Sequence, residues 1–344
     1  MEHELNERQK EILRYVICNF VMTAAPVASR YVAVHDMSGL SPATIRNTMA
    51  DLEEMGYVTH PHTSAGRIPT DKGYRFFVDW LMEVEPVTVK ERGDIRKQFD
   101  NAREPDEVFR QAAKLLGVIS HQLSVVAPPH LRSAVLDHLE LISVASNKIF
   151  VLLTVKTGIV KTITMEVMSE ISQENLANIA RLLNERLHGL TLETIRSTVA
   201  DRVKDFKDEG TGLVNLFIHS ADMIFDDTRE SEKLHIGGTQ SFVEQPEYSN
   251  PENFRTIIEL LNNEGVLVEV LEKHEPKNRN EGAVVFIGQE HGDLRLRNYS
   301  IVVATYKIGG VVGKVGIIGP KRMHYAKVVP LVDYVANEVS LMLS

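Results

Sequence analysis

The stretch Ser41-Pro-Ala-Thr-Ile-Arg-Asn-Thr-Met-Ala-Asp-Leu-Glu-Glu-Met-Gly56 carries helix signals at both ends. Ser41 suits an N-cap, Pro42 suits the first helical position, where no backbone N–H is needed, and Gly56 suits the left-handed residue that stops a helix. The stretch therefore predicts a helix with nearly fixed limits. At about 100° per residue, Ile45, Met49 and Leu52 form a buried stripe, while Ala43, Arg46, Asn47 and Ala50 share the opposite face. Arginine can donate two hydrogen bonds to guanine and asparagine can pair bidentately with adenine. Small alanines let a helix approach closely or touch a thymine methyl. The outward face thus suits base reading. The alternative is a solvated face with an incidental Arg and Asn, and this helix alone does not decide between them.

Upstream, Asn6 and Gln9 have the spacing of a capping box, and Ile12, Leu13, Val16, Ile17, Phe20 and Val21 recur along one helical face. Pro26 interrupts that helix, and residues 27–34 predict a short second helix with Ala28, Tyr31 and Val32 inward. Downstream, residues 57–60 are β-prone, Thr63-Ser-Ala-Gly66 has turn chemistry, and Arg67-Ile-Pro69 can return as a second short strand. Thr70 or Asp71 can then cap a helix whose Tyr74, Phe76, Phe77 and Trp80 close a small core. This order predicts a winged helix-turn-helix over residues 1–86, with the third helix as the reading element.

The chain has 344 residues, 43% hydrophobic and 25% charged, which fits a soluble globular protein of two or three domains. No apolar run approaches a membrane span, and Met-Glu-His-Glu lacks the features of a signal peptide, so the expected location is cytoplasmic. A formal charge of −9 argues against indiscriminate coating of nucleic acid. DNA contact must come from a local patch. Across residues 38–50 and 57–75 the cations Arg46, Arg67, Lys72 and Arg75 face one acid, Asp71, and Asp51, Glu53 and Glu54 lie at the far end of the third helix. That polarity suits a helix entering a groove by its N-terminal half. The candidate base-reading residues are Ala43, Thr44, Arg46, Asn47 and Ala50. The candidate backbone contacts are Ser41, His62, Thr63, Ser64, Gly66, Arg67, Lys72 and Arg75.

No catalytic or cofactor constellation emerges. Gly309-Gly-Val-Val-Gly-Lys-Val-Gly-Ile-Ile-Gly-Pro320 lacks the spacing of a phosphate loop and reads as a hairpin. His60 and His62 have no ligand cluster beside them, and His219, Asp222, Asp226 and Asp227 read as solvated positions. The single cysteine, Cys18, falls on the apolar side of the first helix and reads as a small buried hydrophobe.

Residues 83–90, broken by Pro86, read as a linker. Helices follow over 92–103 and 106–123. A β-meander comes next over 138–145, 149–155 and 160–167, and then a mainly helical block over 172–227. Sheet-like runs resume at 266–271, 283–288, 300–308 and 311–318. The pattern predicts a helical block inserted into a split α+β domain.

The Ser41 to Gly56 stretch, followed by Pro61-His-Thr-Ser-Ala-Gly-Arg-Ile-Pro-Thr-Asp-Lys-Gly-Tyr-Arg75, resembles the HrcA heat-inducible transcription repressors. The resemblance continues at Ile236-Gly-Gly-Thr239, Phe286-Ile-Gly-Gln-Glu290 and Gly316-Ile-Ile-Gly-Pro-Lys-Arg-Met-His-Tyr325, and so spans almost the whole chain. Thr48 and His324 depart from the usual pattern, which puts only local surface chemistry in doubt. The resemblance implies an α+β multidomain repressor of chaperone operons. Its parts would be the winged helix-turn-helix, a GAF-like domain over 87–167 and 251–344, and an inserted dimerisation domain over 168–250. It also implies a homodimer that binds an inverted-repeat operator called CIRCE in double-stranded DNA, with its active form maintained by the GroEL chaperonin. A ligand-responsive regulator acting through the GAF-like part, and an enzyme hidden there, are the other classes. Ligand-dependent operator binding would mark the one and turnover the other.

Overall fold

The computed structural model describes residues 5–35, 40–61, 66–100, 102, 104–167, 171–205, 212–225, 234–273 and 282–343. Helix α1 (Glu7–Thr23) starts with the predicted capping box: the Asn6 side chain accepts from the Gln9 N–H, and the Gln9 side chain accepts from the Asn6 N–H. Helices α2 (Ser29–His35) and α3 (Pro42–Glu54) follow, then an antiparallel ribbon of β1 (Val58–Thr59) and β2 (Ile68–Pro69). The unit closes with α4 (Asp71–Phe76), capped by Thr70 and continued by a π-helical turn over Phe77–Leu81. Its core joins Ile12, Leu13, Val16, Ile17, Val32, Ile45, Met49, Leu52, Tyr74 and Phe77. Each such large aliphatic contributes about 1.5–3 kcal/mol by leaving water.

Several side chains in this unit face other than predicted. The second helix starts at Ser29, so Val27 lies before it, and Val27 and Val32 point inward while Ala28 and Tyr31 are exposed. Cys18 is exposed because Ile12, Leu13, Val16 and Ile17 already fill the buried stripe of α1. Trp80 is 75% exposed, because Tyr74, Phe77 and Leu81 already form the buried stripe at helical spacing.

Beyond the linker come α5 (Val89–Phe99), α6 (Pro105–Ser120) and β3 (Leu123–Ala127). Strands β4 (Leu136–Ala145), β5 (Lys148–Val155) and β6 (Val160–Glu166) form the predicted meander, but as a sheet of their own. Helices α7 (Gln173–Leu187), α8 (Leu192–Val203), α9 (Leu213–His219) and α10 (Ala221–Phe225) complete this unit. Ile179, Leu183, Leu187, Leu213, Phe217 and Ile224 are buried within it. The Asn184 amide bonds both the N–H and the C=O of Leu139, satisfying the β4 edge.

The chain returns with β7 (His235–Gly237), α11 (Thr239–Val243), α12 (Pro251–Leu261) and α13 (Glu264–Lys273), then β8 (Val284–Ile287), β9 (Tyr299–Ile308), β10 (Val311–Pro320) and α14 (Tyr325–Met342). A second, five-stranded antiparallel sheet has the order β7-β3-β10-β9-β8. One face packs Val302, Ala304, Val315 and Ile317 with Val328, Val332 and Val335 of α14. The other packs Ile301, Val303 and Ile318 with Ile257, Leu260, Leu267 and Leu271 of α12 and α13.

Two expectations about this region change. The meander, expected to share a domain with the C-terminal strands, belongs to a different sheet, while β7, expected within the insert, pairs with β3 of the larger one. Residues 266–271, expected as strand, lie in α13, where Leu267, Val270 and Leu271 are buried at helical spacing. Among the described residues no helix is long and apolar enough to cross a membrane.

Candidate nucleic-acid interface

Ser41 sits in extended backbone and its Oγ accepts from the Thr44 N–H at 3.1 Å, so α3 starts where its sequence signals place it. Gly56 holds φ 78° beyond the other end. Ile45, Thr48, Met49 and Leu52 are buried, and Ala43, Arg46, Asn47 and Ala50 are exposed on the opposite side. Among the described residues, Arg46 and Asn47 have no side-chain partner. Their donors and acceptors are open to an external ligand. Thr44 is half-buried, and its hydroxyl shares a 2.9 Å hydrogen bond with Ser41. Thr48, read from sequence as a matter of surface chemistry, is instead 5% exposed and donates its hydroxyl to the Thr44 carbonyl at 3.1 Å.

The other predicted cations have partners within the protein. Arg67 lies 2.6 Å from Glu53 at the end of α3, and the His60 ring meets the same carboxylate. Burial pulls the Glu53 carboxyl upward, but the hydrogen bond with His60 and the charge of Arg67 hold it below its ordinary value. Lys72 donates to the Met55 carbonyl at 2.9 Å and lies 4.3 Å from the Tyr57 ring centre, capping α3 while its side chain stays exposed.

Arg75 is directed at the larger sheet. It donates to Glu290 at 2.8 and 2.5 Å and to the Val285 carbonyl at 2.6 Å, and it also pairs with Asp79 at 3.0 Å. Hydrogen bonding to Glu290 is the main reason its pKa is driven above the ordinary arginine value. Gly66 is packed rather than open: a Cβ there would stand 2.4 Å from the Val27 carbonyl carbon. The adjacent Arg67 exchanges backbone hydrogen bonds of 2.9 Å with Val27 in both directions, which ties the ribbon to the start of α2. His62, Thr63 and Ser64 lie outside the described residues.

Sequence reasoning did not identify Glu53 as the clip of the ribbon, nor Arg30, which is exposed on α2. It also passed over a group of charges joining the helical unit to the large sheet: Asp71 with Lys321 at 2.6 Å, and Arg322 with both the Val21 carbonyl and Glu247 at 2.5 Å. Of these, Asp71, Lys321 and Arg322 lie within the stretches 61–75 and 316–325 that carry the resemblance, the one signal that could have drawn attention to them. His324, a departure from the usual pattern, lies 3.0 Å from Glu85.

The family model described as the HrcA protein C terminal domain matches residues 106–329. A heat-inducible transcription repressor HrcA from Chlorobium phaeobacteroides (strain BS1) is 41% identical over 352 residues, covering 100% of both chains. The protein of the same name from Chlorobium chlorochromatii (strain CaD3) is 40% identical over 344 residues, covering 99% of this chain and 98% of its own. A crystal structure at 2.2 Å, described as a hypothetical protein, shares the fold with a TM-score of 0.61 and 23% identity over 99% of each chain. With its sequence matched from end to end and its C-terminal two-thirds matched by the family model, the chain belongs to the HrcA family of heat-inducible transcription repressors.

Proposed function

We propose that this repressor binds double-stranded DNA as a homodimer at an inverted-repeat operator of the CIRCE type upstream of chaperone operons. The observation that carries the reading is the exposure of Arg46 and Asn47, without partners among the described residues, on the N-terminal half of a capped helix. In this reading residues 1–86 are a winged helix-turn-helix and α3 lies in the major groove. Arg46 and Asn47 read base edges, and Ala43, Thr44 and Ala50 allow close approach. Phosphate contacts fall to the α3 N-terminus at Ser41, to Lys72, to Arg30 on the crossing helix α2, and to His62, Thr63 and Ser64.

Each reading head carries few base contacts, so a twofold pair is required to single out an operator. The inserted unit is the proposed pairing element. Its larger apolar side chains on α7, α9 and α10 fill its own core, so the surface left for a second copy is the outer face of β4-β5-β6. There Ile142 and Val160 are exposed and Phe150 and Leu152 are half-buried. The five-stranded sheet with helices on both faces is the proposed GAF-like domain. Its β3 and β10 pair across the insert, with Lys314 opposite Ala127. Such distant pairing slows folding and exposes sheet edges in intermediates, which supports maintenance of the active form by the GroEL chaperonin.

A footprint on genomic DNA upstream of chaperone operons, with and without purified chaperonin and ATP, tests this. The expected result is one protected inverted repeat and a larger active fraction after refolding with chaperonin. Equal protection of scrambled DNA would remove the operator reading, and equal active fractions would remove the chaperonin. A cavity of about 540 Å³ lined by His130, Arg132, Glu272 and Lys314 favours the ligand-responsive alternative, which requires operator affinity to change with a small anion.

A further inference from the structure

Three stretches that carry the family resemblance, residues 61–75, 286–290 and 316–325, are far apart in the sequence yet meet at one interface. Asp71 Oδ1 lies 2.6 Å from Lys321 Nζ, and Asp71 Oδ2 accepts from the Gln289 N–H at 3.1 Å. Gly288, with φ 54°, leaves the seat for this carboxylate, since a Cβ there would stand 2.1 Å from Asp71 Oδ2. Four residues along α4, Arg75 forks onto Glu290 and bonds the Val285 carbonyl. Between them Tyr74 meets Tyr325 edge to face, with ring centres 6.0 Å apart. On the far side Arg322 donates to the Val21 carbonyl near the end of α1 and is held by Glu247. Beside this contact the linker is fixed by a 2.9 Å bond from the Glu85 N–H to the Ala326 carbonyl.

Fixing one rigid body against another takes contacts at several separated points, and here they involve α1, α4 and the linker. The charged side chains are partly buried, with exposures of 24% at Asp71, 30% at Lys321 and Arg75, and 33% at Glu290. Water therefore screens them less than it would an ordinary surface pair. The exposed face of α3 takes no part in this contact, so the contact orients the head without covering it.

We infer that Asp71–Lys321 and Arg75–Glu290 form a latch that positions the reading head on the five-stranded sheet and thereby sets which half-site spacing the repressor accepts. The inference rests on the proposal that α3 reads DNA. A head on a free linker would reach half-sites at many separations, whereas a latched head presents α3 in one orientation.

The test uses the full chain with Lys321→Gln and Glu290→Gln together, both outside the head, and separately Gly288→Ala, which removes the Asp71 seat without changing charge. Lys321→Arg is the control that keeps the pair. Small-angle scattering reports the head position without DNA, and circular dichroism reports folding. Titration then uses the operator, a half-site duplex, a scrambled duplex and an operator whose spacer is longer by about five base pairs, half a helical turn. The expected result is an expanded scattering profile for the double variant and for Gly288→Ala, with helix content and half-site affinity as in the parent. The parent should disfavour the lengthened operator by at least about ten-fold and the variants by less than about three-fold, as loss of fixed geometry requires. Lys321→Arg should behave as the parent. An unchanged scattering profile would overturn the latch, and an expanded profile with spacing preference intact would overturn its role in positioning. A parent that binds scrambled DNA as well as operator would instead sink the DNA reading, and the scattering result would still judge the latch.

Discussion

Glu53 Oε2 lies 2.6 Å from the Arg67 guanidinium, and the other oxygen of the same carboxylate meets the His60 ring, so the last turn of α3 holds both sides of the β1–β2 ribbon. Helix α3 and the ribbon beside it are therefore held together as one piece. Replacing Glu53 with alanine should lower the stability of the head by about 1 kcal/mol, the upper range for a partly exposed ion pair. It should also weaken binding to operator and random duplex alike. Urea unfolding and a paired titration check both, and a change in base preference would place Glu53 nearer the DNA than this account does.

Two glycines in helices should respond with opposite signs. In α4 a Cβ at Gly73 would stand 2.1 Å from the Tyr57 carbonyl oxygen, whereas at Gly93 in α5 nothing lies within 4 Å. Helix propensity alone favours alanine over glycine by about 1 kcal/mol, so Gly93→Ala should raise stability by up to that amount. Gly73→Ala should lower it by about 1–3 kcal/mol, because β1 must shift away from α4. Thermal unfolding of the two variants decides, and stabilisation by both would show that the close approach at Gly73 does not exist.

A third expectation concerns acid. Glu91 accepts from Lys327 of α14 at 2.9 Å and from the Thr88 N–H at 2.9 Å, and these bonds, Lys327 first, lower its pKa from 4.5 to about 2. A carboxylate depressed in the folded state stabilises fully above its unfolded pKa and loses that contribution as pH falls through the folded value. Glu91→Gln should therefore be less stable than the parent at neutral pH, with the difference shrinking between pH 4.5 and about 2. Urea midpoints across that range are the measurement, and a constant difference would assign the effect to lost packing.

The head was legible where a local signal had one reading. Asn6 with Gln9, Ser41 with Pro42, Gly56 and Thr70 each fix a helix end through backbone chemistry that tertiary contacts did not override. The face of α3 that bears Arg46 and Asn47 followed from its buried stripe. The outward directions of Cys18, Tyr31 and Trp80 did not, because each lies on the flank of its helix beside the residues that fill the buried stripe: Val16 and Ile17 in α1, Val32 in α2, and Tyr74, Phe77 and Leu81 around α4. The two sheets differ only in part in their sequence pattern. Ile163 and Met165 of β6 alternate with Thr162, Thr164 and Glu166, and Ser300 to Tyr306 of β9 is mostly apolar between helices on both faces, but the apolar run Ile149 to Leu153 of β5 blurs the contrast. The partners of Arg75 and Asp71 were beyond reach, since they lie 215 and 250 residues away and no local pattern links such positions.

Titration of the purified repressor on its operator and on a scrambled duplex of equal length, for the parent, Arg46→Ala and Asn47→Ala, tests the central claim most directly. The account predicts that each variant loses about 1–3 kcal/mol on the operator and little on the scrambled duplex, with half-site spacing preference retained. Variants that still distinguish operator from scrambled DNA as the parent does would contradict it, and would move base reading away from α3.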